Sequence, residues 1–145
     1  MKLSEQLLPA SLLERATLRG NEYAWPIADL PTVIEAARAA NLINIGGQLQ
    51  FRIPDGGTCE CYWIEVDTYK DVSEDFAWSE RVSLTATSAM RQFRDLSEKY
   101  DFIVEGRQAF AQHLLAFEAL GGDLEDAQCF VWYVESEQEA ASRAE

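Results

Sequence analysis

Eight consecutive residues, Gln128-Cys129-Phe130-Val131-Trp132-Tyr133-Val134-Glu135, are apolar at both parities of a strand. Successive side chains of a strand point to opposite faces, so a run of this kind must be covered on both sides. It predicts a central strand at about 128–135, and therefore a sheet with partners for it.

The partners lie upstream. Residues 42–53 alternate, with Ile43, Ile45, Leu49, Phe51 and Ile53 on one side and Asn44, Gln48, Gln50 and Arg52 on the other. Pro54-Asp55-Gly56-Gly57 has turn composition, and a second strand follows at about 58–67, so 42–67 reads as a β-hairpin.

Helical spacing fills much of the rest. Pro9 through Arg19 reads as a short helix closed by Gly20-Asn21, with Leu12, Leu13 and Ala16 on one side. Leu30, Val33, Ile34, Ala37 and Ala40 predict a helix over 30–40, with Asp29 at its start and Asn41 at its stop. Residues 68–79 read as a polar, aromatic loop. A long helix follows at about 80–99 with Val82, Ala86, Ala89, Met90, Phe93 and Leu96 inward, although 82–86 also alternates like a strand. A last helix spans about 107–120 and ends at Gly121-Gly122. The expectation is one α+β domain over 1–145, with a small, mainly antiparallel sheet, about four helices and an acidic tail that frays from about 137.

The 145 residues carry a formal net charge of −13. Two blocks hold all of it. Residues 60–80 contain seven acids and one base, residues 118–145 contain eight acids and one base, and the remainder is neutral. Such a field repels nucleic acid and anionic membrane, attracts basic partners, and also keeps a protein dispersed. Three cysteines, an odd number, and a start at Met1-Lys2-Leu3-Ser4-Glu5-Gln6 without an apolar core segment predict a cytoplasmic chain.

Residues for chemistry are sparse. The one histidine, His113, falls inside a predicted helix. Cys59 and Cys61 share one face of a strand, and Cys129 lies on another, but the spacing is not that of a zinc site and core packing is the simpler reading. Gly46-Gly47 and Gly56-Gly57 do not open helices, as phosphate loops do. Acids near Asp71, Glu74 and Asp75 lack the EF-hand spacing. No catalytic group, metal or cofactor is expected. Trp63 and Trp78 lie within the first acidic block; core cover suits Trp63, and an interface suits Trp78 in its loop.

Gly20-Asn21-Glu22-Tyr23-Ala24-Trp25-Pro26, then a capped helix, then Ile43-Asn44-Ile45-Gly46-Gly47-Gln48-Leu49, resembles immunity protein family 40. These are small bacterial immunity proteins of polymorphic-toxin and contact-dependent inhibition systems. The resemblance covers about residues 7–100; where the family carries an acid after Gly-Gly, this chain has Gln48. It implies a non-enzymatic inhibitor that binds a cognate toxin domain, often a basic nuclease. It also implies structural roles for Asn21, Trp25, Gly46 and Gly47.

Three readings stay open. The first is an acidic protein that binds a basic protein partner, a toxin domain, through Glu60, Glu65, Asp67, Asp71, Glu74, Asp75 and Trp78. The second is a ligand-binding or enzymatic module built on His113, the cysteines and acids. The third is a structural or adaptor domain.

Overall fold

The computed structural model describes residues 3–54 and 56–144. Asp55 of the predicted turn, Met1 and Lys2 of the predicted start, and Glu145 of the second acidic block lie outside the described residues.

The fold is α+β. Five strands form one antiparallel sheet: β1 (Thr17–Arg19), β2 (Glu22–Trp25), β3 (Ile43–Arg52), β4 (Thr58–Asp67) and β5 (Gln128–Glu135), in the order β1-β2-β5-β3-β4. Among the described residues seven α-helices accompany them: α1 (Ala10–Leu13), α2 (Leu30–Ala39), α3 (Trp78–Lys99), α4 (Phe102–Ala109), α5 (Ala111–Ala119), α6 (Leu124–Ala127) and α7 (Glu137–Ala144). The doubly apolar run is the central strand, paired on both edges.

Phe130, Trp132 and Val134 of β5 point into the main core with Leu49 and Phe51 of β3. There they meet Leu30, Val33, Ile34 and Ala37 of α2 and Ala86, Ala89 and Phe93 of α3. Phe93 meets Phe130 edge to face at 5.4 Å, the arrangement aromatic quadrupoles favour. Ala24, Cys129 and Val131 form a smaller cluster on the other face of the sheet, with Tyr133 against it.

Several expectations are corrected. The helix expected over Pro9–Arg19 is only Ala10–Leu13, and Thr17–Trp25 is a second hairpin. Gly20, at φ 60°, takes its first turn position, where a two-residue hairpin favours glycine. Pairing of β2 with β5 outweighs the helical tendency of the segment, because it adds a strand to an otherwise bare sheet edge. The hairpin is tied on by two arginines. Arg19 donates to Ile53 O at 2.7 Å and Thr58 Oγ1 at 2.8 Å. Arg52 donates to Thr17 O at 2.7 Å and Glu22 O at 3.0 Å, and burial pulls its pKa down.

The alternation expected along β3 changes phase. Ile45 bulges out of the ladder, so Asn44 turns inward with Leu49 and not outward with Gln48. Gly46 and Gly47 permit this close passage. A Cβ at Gly46 would lie 2.0 Å from Val66 O, and one at Gly47 would lie 1.6 Å from Val131 O. The loop expected over 68–79 contains a 3-10 turn at Thr68–Lys70, and α3 begins at Trp78. The helix expected over 107–120 is two, broken at Phe110. The tail from 137 is helical: Arg143 of α7 holds Glu135 through two bonds of 3.0 and 2.8 Å.

Candidate functional site

Cys59, Cys61 and Val66 of β4 enter the core, which places Glu60, Glu65 and Asp67 on the opposite face of that strand. Glu60 accepts from Gln50 Nε2 at 2.7 Å and from the hydroxyl of Tyr62. Glu65 is exposed, with Lys70 Nζ at 3.8 Å. Asp67 accepts from the Tyr69 N–H at 3.0 Å and so caps the 3-10 turn.

Beyond the strand the candidate residues divide. Asp71 is bound to α3, accepting from Ser88 Oγ, Arg91 and Gln92. The Ser88 hydroxyl, above all, holds its carboxyl below the usual value. Glu74 and Asp75 are exposed, and neither forms an ion pair among the described residues. Trp78 is the first residue of α3 and not part of a loop. Its indole N–H donates to Asn41 O at 3.0 Å, and the Arg81 guanidinium lies 5.1 Å from the ring centre. Asp71 and Trp78 are thus engaged by the chain's own cations.

Adjacent β3 residues Gln48 and Leu49 pair with Glu65 and Cys61, which are four apart. Tyr62, Trp63 and Ile64 therefore bulge from edge strand β4. Ile64 turns inward and is fully buried, whereas Tyr62 is 65% and Trp63 46% exposed. Trp63 Nε1 donates to Glu105 Oε1 on α4 at 2.9 Å. Core cover was the expectation for Trp63, and its exposure overturns it. The clue was a phase change: Cys59 and Cys61 fall on odd positions, Ile64 and Val66 on even ones, and only a bulge lets all four face one core.

The residues of the catalytic reading are apart. His113 is exposed on α5. Cys59 and Cys61 lie in the main core and Cys129 on the other face of the sheet. Burial pushes the Cys61 thiol up to about 12 and the Cys129 thiol up to about 11, so both stay protonated and weakly nucleophilic at neutral pH. Among the described residues no three of His, Cys, Asp and Glu are grouped to hold a metal ion. A cleft of about 500 Å³ lies between the N-terminal segment and α7, lined by Leu3, Leu7, Ser136 and Arg143 among others. A second of about 370 Å³ is lined by Asp101, Arg107, Glu118 and Asp123 among others. Neither His113 nor a cysteine lines either cleft.

No described helix is long and apolar enough to cross a membrane. No protein-family model, curated protein or solved structure matches the chain.

Proposed function

We propose that this chain is a non-enzymatic acidic binding protein that acts in the cytoplasm by holding and neutralising a basic protein partner, as an immunity protein holds its cognate toxin domain. The observation that carries this reading is the contrast in charge pairing along residues 60–80. Asp71 is matched by Arg91, whereas Glu60, Glu74 and Asp75 form no ion pair among the described residues. Unmatched acidic charge raises the on-rate and specificity for a cationic partner, such as a nuclease toxin whose own surface fits phosphate.

The test is association with the product of the neighbouring gene, measured by calorimetry at two salt concentrations. Tight binding that weakens steeply with salt is expected. A variant with Glu60, Glu65, Glu74 and Asp75 all changed to Lys should fold yet bind at least about a hundredfold more weakly, since close charge pairs across interfaces carry that much coupling. Unchanged affinity and salt slope in this variant would remove the basis for the reading.

A further inference from the structure

We propose that the bulge in β4 is the docking point for an arginine side chain on the surface of the basic protein partner. This rests on the binding reading above and specifies where, and by what chemistry, contact is made. A guanidinium at a protein surface is held best by an aromatic face together with a carboxylate. The bulge supplies two such pairs. Tyr62, 65% exposed, donates its hydroxyl to Glu60. Trp63, 46% exposed, donates its indole N–H to Glu105 at 2.9 Å. The polar end of each ring is satisfied, so each ring is anchored while much of it remains in water. The donors to the two carboxylates are neutral, so they orient the negative charge without cancelling it.

Among the described residues Tyr133 also donates its hydroxyl to a carboxylate, that of Glu22, but Tyr133 is partly buried, unlike Tyr62 and Trp63. Asp29, Glu35, Glu65, Asp71, Glu118 and Glu135 each have an Arg or Lys of the chain within ion-pair distance. Glu60 and Glu105 have none among the described residues. Trp78 shows the completed form, with Arg81 5.1 Å from its ring centre. The bulge has the same kind of aromatic without the cation. Tyr62 and Trp63 are chain neighbours on an edge strand, and neither lines a described cleft. That suits a side chain presented by a protein surface and not a free small cation, which needs an enclosing cage. Exposed Tyr and Trp at the centre of a charged rim are also the residues that dominate interface energetics.

The probe is a ten-residue peptide of alternating Arg and Gly, titrated into the full chain at low salt, with an alternating Glu and Gly peptide as control. The indole N–H signals of the four tryptophans are followed by NMR. Saturable movement of the Trp63 signal, with the Trp78 signal unmoved, is expected. Tyr62→Ala should weaken binding by about fivefold, and Glu105→Gln, which keeps an acceptor for the indole, by about threefold. Glu60→Gln serves as a conservative second variant if Tyr62→Ala does not fold, with the same threefold loss expected. Saturable movement of the Trp78 signal with the Trp63 signal unmoved, or variants that bind as well as the parent, overturn the docking point but leave the acidic-surface reading standing. No saturable shift anywhere overturns both.

Discussion

The indole N–H of Trp132 on β5 donates to Asn44 Oδ1 on β3 across 2.8 Å, with both side chains fully out of water. The amide of Asn44 in turn donates to Ile34 O at 3.2 Å, its backbone N–H donates to Thr85 Oγ1 at 3.0 Å, and its carbonyl accepts from Thr68 Oγ1 at 2.6 Å. One side chain and its peptide groups thus join the sheet, α2, α3 and the turn that starts the acidic loop. Asn44→Leu leaves the indole N–H without a partner and removes the second donor to Ile34 O, which keeps its bond within α2. A loss of about 1–3 kcal/mol is expected in urea denaturation, the cost of one orphaned buried group. Trp132→Phe orphans the buried Asn44 Oδ1 in turn and leaves a void beside it, so it should cost at least as much.

Glycine substitutions should rank by what the new Cβ meets. At Gly47 it would fall 1.6 Å from a β5 carbonyl oxygen, so Gly47→Ala forces the two central strands apart and is expected to prevent folding. At Gly20 there is open space but φ is 60°, so Gly20→Ala should cost about 1 kcal/mol in thermal melts. At Gly57 the space is open and no left-handed strain arises, so Gly57→Ala should lie within about 0.5 kcal/mol of the parent.

Glu5 and Asp71 should act on stability in opposite pH directions. Glu5 is 6% exposed and accepts from the Val134 N–H at 2.9 Å. Burial, with Glu139 and Glu135 nearby, raises its pKa above the ordinary 4.5. The folded state therefore holds the Glu5 proton more tightly than the unfolded chain, and this contribution fades as pH rises from about 4.5 through the raised value. Glu5→Gln should melt higher than the parent at pH 7, with the gap closing toward pH 4. Asp71, with its pKa lowered, contributes stability above about 4 that is lost as pH falls through the lowered value. Asp71→Asn should flatten that acid limb.

Glu135 is 3% exposed and held by Arg143, whose own side chain is 56% exposed. Solvent screens half of the pair, so its net value is modest, but removing the arginine strands a buried carboxylate. Arg143→Gln should cost about 1–2 kcal/mol. It should also speed amide exchange selectively in Glu137–Ala144, measured by hydrogen–deuterium exchange.

The elements legible in the sequence were those with one strong period and little dependence on distant partners. The run 128–135 and the hairpin 42–67 were readable because parity reports burial directly. The helix over 30–40 ends at Asn41, which adopts φ 62° as an asparagine can. The helix expected over 9–19 fails beyond Leu13 because strands of three and four residues are too short to show a period, and the state of 17–25 depends on β2 docking against β5. The tail forms α7, whose apolar signal is weak and whose Arg143 is held by Glu135, just before the helix.

The sequence by itself determined the α+β class, the place of β5 between partners, and the confinement of charge to two blocks. Hydrophobic parity and charge are properties of residues in order, and they survive without coordinates. Only the tertiary structure decided which charges are already answered. Asp71 meets its own cation because α3 brings Arg91 to it. Trp63 reaches water because β4 must fit three extra residues against two neighbours in β3. Pairing of this sort depends on distance between segments far apart in the chain, and no local pattern of residues encodes it.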